Sequence, residues 1–247
     1  RSETLAEDTE GKMNLWQLLV SIIDRPAATM SYVGKKPGWA WLMPALLVLV
    51  GLVVFSVVAA PLTSELALRQ AQQQIASLPP QQAEQAAAQI EKFTSPTVMA
   101  VSSSIGGLIA LAVIWLLGAG VLYFLGLVAG GEANFAQSFA ILAWSWTPYA
   151  LRNLVLAAYV AYSGKMISQG LSFLVATGDQ IKDAANWLYV LLSQIDLFYL
   201  WHLFLVIVGL VAVGRLSKAK ATIVGLIYLA ATTALSLVPT LIGAMFS

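Results

Sequence analysis

The sequence predicts an all-α integral membrane protein with about five transmembrane helices, an N-terminal interfacial helix and an extracytoplasmic helical hairpin. Three observations carry this. Of the 247 residues 59% are hydrophobic and 10% charged, and the mean hydropathy is +0.80, whereas soluble domains hold about 25% charged residues. Five segments meet the length of about 20 apolar residues with which a helix crosses roughly 30 Å of hydrocarbon, every backbone N–H and C=O bonded internally. The basic residues between those segments are unevenly distributed.

The five segments run over Trp39–Ala60, Ser104–Ala129, Phe135–Tyr162, Leu197–Val213 and Thr222–Phe246. Trp39, Trp41, Tyr162, Tyr199 and Trp201 fall near their ends, where an amphipathic ring favours the headgroup layer. Arg1, Lys12, Arg25, Lys35 and Lys36 precede the first segment, and Arg215, Lys218 and Lys220 join the fourth to the fifth, eight in all. The opposite loops hold four, Arg69, Lys92, Lys165 and Lys182. Cytoplasmic loops carry the basic excess, so the N-terminus is expected in the cytoplasm and the C-terminus outside a cell membrane.

Residues 1–13 read as a disordered cytoplasmic tail, because Glu3, Glu7, Asp8 and Glu10 leave little to bury. They contain no apolar signal-peptide core, so insertion would rely on the first span. Residues 14–38 read as a cytoplasmic interfacial helical segment. Asn14, Gln17, Ser21 and Asp24 form one polar stripe at helical spacing, Leu15, Trp16, Leu18, Leu19, Ile22 and Ile23 cover the rest, and Pro26 ends the helix. A helix packed against the spans is the equal alternative. Residues 39–247 make up the membrane domain. Within it, segment 61–96 carries two helical stripes, Leu68, Ala71, Ile75, Leu78 and Ala83, Ala86, Ile90, Phe93, separated by Pro79 and Pro80. The expectation is an extracytoplasmic hairpin that caps the bundle or docks a partner. Between Ser163 and Ile195, runs such as Leu171–Val175 are too short to span, and Ala184–Leu192 would begin the fourth helix early.

A net charge of +1 provides no field to attract nucleic acid. With no cysteine and one histidine, thiol chemistry, disulfides and cysteine-ligated zinc or iron–sulfur clusters are excluded, and neither a metal site nor a cofactor is expected. Gly-x-Ser-x-Gly, His-Glu-x-x-His and paired intramembrane aspartates are absent, so the chain is not expected to be an enzyme. The polar exception is Arg152, roughly 24 Å into the third span at 1.5 Å per residue. Intramembrane charges usually face a partner, and Asp196 lies at comparable depth, with His202 about two turns further in. This candidate cluster of Arg152, Asp196 and His202 reads either as a substrate or proton site, or as a salt bridge fastening two spans beside a hydrogen-bonded packing histidine. Gly126 with Gly130 forms a GxxxG pair, and Gly118, Gly120, Ala230 and Ala234 offer thin helix faces for packing within the chain or in a homo-oligomer.

The densest motif is Gly130-Gly131-Glu132-Ala133-Asn134-Phe135-Ala136-Gln137, followed by Trp144-Ser145-Trp146-Thr147-Pro148-Tyr149. The glycines end the second span, and Asn134 with Gln137 forms a capping box that starts the third. Pro148 removes a backbone hydrogen bond within the membrane, so neighbours or the hydroxyls of Ser145 and Thr147 must satisfy the freed carbonyl, and the helix kinks. This stretch resembles the bacterial branch of the Yip family, whose eukaryotic members interact with Ypt/Rab GTPases. The resemblance rests on Gly130, Gly131, Phe135, Trp144, Ser145 and Pro148, with support from Asp24-Arg25-Pro26 and from Leu200-Trp201-His202 through Gly209 to Lys220. It implies a Yip-like five-helix membrane domain without catalytic residues, in membrane trafficking or, in bacteria, as a scaffold or accessory subunit. One bacterial relative works beside a MacAB-like ABC exporter, so the implied partners are the lipid bilayer and a membrane protein such as an ABC exporter subunit. The eukaryotic Asp-Leu-Tyr-Gly-Pro motif is missing, which argues against GTPase binding. The competing expectation is a small transporter or channel built around Arg152, Asp196 and the Pro148 kink.

Overall fold

The computed structural model describes residues 14–76 and 78–245. The acidic tail at 1–13 and Phe246, the predicted end of the fifth span, lie outside the described residues. Every regular element among the described residues is helical.

The chain opens with α1 (Leu15–Asp24) and α2 (Pro26–Lys35). The Asn14 side chain accepts the Gln17 N–H and the Gln17 side chain accepts that of Asn14, so two donors orphaned at a helix start are satisfied. Pro26 cannot continue α1 and instead occupies the first turn of α2, where its missing N–H costs nothing. Leu18 and Ile22 turn inward onto Met30, Val33, Trp144 and Leu205, while Trp16 and Ile23 stay exposed. One edge of α1 therefore packs on the bundle while Trp16 and Ile23 on another face remain exposed. The burial of Thr29, Met30 and Val33 in α2 has no counterpart in the expectation of a surface-lying segment at 14–38.

Three rods are long and apolar enough to cross a bilayer. The first joins α3 (Pro37–Ala40) to α4 (Leu42–Ile75), the second is α6 (Pro96–Val128), and the third lies within α12 (Lys218–Met245). The other two predicted spans are broken. The predicted third span divides into α7 (Phe135–Ser145) and α8 (Thr147–Ser163), of 11 and 17 residues, each short of a full crossing. The fourth does not begin as a continuous early helix. Instead α10 (Trp187–Gln194) meets α11 (Leu197–Ala212) at a bend of 61°. Among the described residues, candidate spans thus number three, or four if the bent pair is counted as one. The reason α7 can be short is its surroundings: Ser138 and Ala140–Ser145 are all buried, among α2, α3, α6 and α11. A broken backbone is tolerated at membrane depth where protein groups replace the missing partners.

The predicted hairpin at 61–96 takes a corrected form. Pro61 does not end the first span, because α4 continues through it to Ile75. An internal proline costs about 3 kcal/mol, and here the buried Ala59 and Ala60 and the long contacts of α4 with α6 and α8 hold the rod together. The hairpin is therefore the far end of α4 with α5 (Pro80–Phe93), latched by the Ser64 hydroxyl donating to the Thr94 carbonyl. Beyond α8, the short α9 (Gln180–Ala185) is capped by Asp179, whose carboxyl is held below its ordinary range chiefly by the Lys182 N–H. The Leu171–Val175 run forms one 3-10 turn, Ser172–Leu174, beside α10.

The core is a cluster that includes Trp115, Leu122, Leu142, Val206, Leu210 and Tyr228. The outer wall is equally apolar: Val50, Ile105, Ile109, Ile223 and Leu226 are each at least half exposed. So extensive an apolar surface would drive association in water but suits acyl chains. Helices α7 and α11 cross so closely that a Cβ added to Gly209 would lie 2.5 Å from Ile141 Cγ2. Gly209→Ala is expected to destabilise the fold by about 1–3 kcal/mol through overpacking, read by unfolding in mixed detergent micelles. At Gly120 an added Cβ meets nothing within 4 Å, and Gly120→Ala should match or exceed the parent.

Candidate functional site

The motif residues lie at the two ends of α7. Leaving α6, Gly130 adopts φ of 85°, its N–H donates to the Leu127 carbonyl, and that of Gly131 donates to Gly126. This paired closure requires a left-handed residue, which glycine adopts without steric cost. Gly131 is wedged as well, since a Cβ there would stand 2.9 Å from the Gly126 oxygen and 3.1 Å from the Gly214 oxygen. The Glu132 N–H donates to Gly214 and Lys220 Nζ to the Ala129 carbonyl at 2.7 Å. The Asn134 and Gln137 capping box then starts α7, and Gln137 Nε2 also donates to the Gly34 carbonyl at 3.0 Å. Phe135 meets the Tyr123 ring edge-on. The α6–α7 turn is thereby tied both to α2 and to the α11–α12 turn. Gly130 lies outside α6, so the GxxxG pair serves the turn, not a helix-packing face.

At the other end of α7, prolines dictate the bonding. Pro44 offers no N–H to the Ala40 carbonyl four residues back, and the Trp144 indole donates there instead, at 2.9 Å. Pro148 likewise abandons the Trp144 carbonyl, which receives the Thr147 hydroxyl at 2.8 Å. Ser145, the other hydroxyl considered, donates to Leu142. The helix breaks at Trp146, ahead of Pro148, and the Tyr149 N–H is diverted to the Trp146 carbonyl. The Ser145 carbonyl left over lies 2.9 Å from His202 Nδ1. A carbonyl can only accept, so Nδ1 carries the proton and Nε2 accepts the Tyr228 hydroxyl at 3.2 Å.

Arg152, on α8, has Nε 2.7 Å from Asp196 Oδ2, and both side chains are 17% exposed. A second guanidinium nitrogen donates to the Ser193 carbonyl at 3.1 Å, and Asp196 caps α11 by accepting the Tyr199 N–H at 2.8 Å. One arginine thus grips both sides of the elbow between α10 and α11. His202 does not bond to this pair. The Tyr149 ring stands between them, 6.0 Å from the guanidinium and 5.4 Å from the imidazole. Trp146, Tyr149, Arg152 and His202 line a cleft of about 580 Å³ whose rim is formed by α6 and α12. Arg152 and Asp196 also border a recess of about 630 Å³ walled by the loop around Lys165 and Phe173.

A family profile described as the Yip1 domain matches residues 20–241, from within α1 to the last turns of α12. The chain belongs to the Yip1 domain family. No curated protein and no solved structure matches it. The Yip1 domain is here a multi-pass membrane protein whose apolar rods enclose a short, buried central helix. Of its motif residues, Gly130 and Gly131 close α6, Pro148 follows the break at Trp146, the Trp144 indole serves the Ala40 carbonyl, the Ser145 hydroxyl bonds Leu142 in the last turn of α7, and Phe135 contributes a ring contact. The sequence pointed to Arg152, Asp196 and His202 but not to the tyrosines packed around them. Tyr149 follows Pro148 directly and was within reach as an aromatic one turn before Arg152. Tyr199, bonded to Thr233 at 2.6 Å, was legible only as an aromatic near a span end, and Tyr228 carries no signal beyond its place in an apolar helix.

Two predictions follow from this bonding in the Yip1 domain. Arg152→Met strands a largely buried carboxylate and should cost about 3 kcal/mol, while Arg152→Met combined with Asp196→Asn, which retains the cap, should recover most of it in thermal unfolding in detergent. Trp144→Phe leaves the Ala40 carbonyl without a donor and should cost about 1–3 kcal/mol, measured the same way.

Proposed function

We propose that this Yip1 domain protein is a noncatalytic scaffold or accessory subunit of a membrane complex in a cell membrane. The observation that carries the proposal is the use made of the interior ionisable groups: Arg152, Asp196 and His202 are all bonded to backbone carbonyls or N–H groups at helix breaks. Groups so engaged stabilise broken helices and are poorly placed to exchange protons or bind a solute. A partner-binding role is consistent with exposed Phe93 at the end of the α4–α5 hairpin and with exposed Trp16 and Ile23 on α1. The implied partner is another membrane protein, with a MacAB-like ABC exporter subunit the specific candidate carried by the family resemblance to the bacterial branch; a second copy of the chain is the other. In this reading the two broken helix pairs each serve as one passage, which makes five, and α1 lies in the headgroup layer.

The same reading puts the N-terminus in the cytoplasm and the C-terminus outside. It is supported by the gathering of exposed Lys35, Lys36, Arg215, Lys218 and Lys220 around the Gly130–Gly131 turn, the pattern of a cytoplasmic face. A second reading, a small transporter or channel, is favoured by the cleft beside Arg152.

Tagged protein purified at native level in mild detergent should bring down a membrane protein in stoichiometric amount by quantitative mass spectrometry, and its absence would refute the accessory-subunit proposal. Reporters fused to the two termini should be found on opposite sides of the membrane. Solute flux in liposomes that disappears in a folded Arg152→Ala variant would favour the transporter instead.

A further inference from the structure

The cleft between α6 and α12 has a polarity that the scaffold reading does not use. Its sides are apolar, formed by Val48, Leu52, Leu111 and Leu229, and its rim carries Ile114 and Leu235, 39% and 47% exposed on the outer wall of the bundle. The mouth therefore opens sideways through the surface that faces acyl chains. Its polar groups gather toward the Arg152 end, where Asn153, Gln194 and Ser236 line it. Ser236 stands 18 residues beyond Lys218, roughly 27 Å along α12 at 1.5 Å per residue, a depth close to the edge of the hydrocarbon. Gln194 already donates to Ser236, but the Asn153 carboxamide has no hydrogen bond among the described residues. Deeper in, the buried Trp146 indole N–H, on the cleft wall, also lacks a partner of acceptable geometry, a deficit that costs about 1–3 kcal/mol.

Size limits the occupant. At about 30 Å³ for each water-sized group, the roughly 580 Å³ of the cleft holds about as many groups as one long acyl chain has carbons. Two turns of a transmembrane helix about 10 Å wide exceed that volume. Charge limits it as well: Arg152 is already neutralised by Asp196, so the site offers hydrogen bonds at its polar end without net charge.

We propose that this cleft is a lateral binding site for one acyl chain of a bilayer phospholipid, drawn from the leaflet at the Arg152 end. The chain runs down the apolar walls toward Trp146, and its glycerol ester region meets Asn153. Because the bonding falls on the ester region and the ion pair is neutral, headgroup charge is not selected.

The test is native mass spectrometry of the detergent-purified chain with added phosphatidylethanolamine or phosphatidylglycerol. The expected result is one retained phospholipid per chain, with less than threefold preference between the two. Ile114→Trp or Leu235→Trp, which fill the mouth, should reduce retention at least fivefold, while Val113→Trp, exposed on α6 but outside the cleft, should leave it unchanged. In vesicles of phosphatidylcholine bearing an acyl-chain diazirine, the unaltered protein should label within residues 111–121 and 228–239, which decides the matter even if a filling variant fails to fold. Labelling spread evenly around the wall, meaning annular lipid only, would overturn the proposal, as would equal retention in the folded Ile114→Trp and Val113→Trp variants.

Discussion

A peptide carbonyl inside a bilayer has no water to turn to, and leaving it unsatisfied costs several kcal/mol. An unbroken helix avoids the difficulty, but this chain breaks its helices at Trp41, Trp146 and Ile195, and each break leaves acceptors behind. Each is served by a side chain. The Trp144 indole donates to Ala40, the Thr147 hydroxyl to Trp144, His202 to Ser145, and Arg152 to Ser193. Three of these four donors reach an acceptor distant in the chain, so satisfying the backbone and assembling the bundle are one process. The Trp-Ser-x-x-Pro pattern becomes intelligible in these terms, since its tryptophan repairs one proline break and its proline creates the next.

This constraint also explains why the most polar interior lies around the short, interrupted helices. Helix α7 is buried on nearly every side, and its neighbours can supply the hydrogen bonds that lipid cannot. The long rods α4, α6 and α12 face outward with less need of such help, because their backbone ladders are interrupted only where a proline stands, as at Pro44 and Pro61 in α4 and Pro239 in α12. The bundle is thus layered by backbone integrity, with regular helices against lipid and interrupted ones within.

The ion pair of Arg152 and Asp196 belongs to the same logic. Burying two charges is costly and the pair by itself adds little net stability, but here Arg152 also bonds a freed carbonyl and Asp196 also caps a helix. The pair thereby holds a 61° elbow that would otherwise expose the end of α10 and the start of α11. Arg152 also lines two recesses, which places the cleft between α6 and α12 beside this joint.

Hydropathy and charge counts in the sequence were sufficient to determine that the chain is helical and membrane-embedded, because both depend on the solvent each residue prefers. Local motifs were legible for the same kind of reason: the Gly130 closure, the Asn134 and Gln137 cap and the Pro148 break depend on residues within a few positions of one another. The pairing of Arg152 with Asp196 was also legible, since two isolated charges at one depth have few alternatives. Only the tertiary structure decided that α4 runs through Pro61, that one face of α2 is buried, that His202 answers Ser145 while Tyr149 separates it from Arg152, and that α6 and α12 part to form a cleft. Those outcomes depend on which helices lie side by side, and in a chain so uniformly apolar many packings satisfy the same hydrophobic pattern.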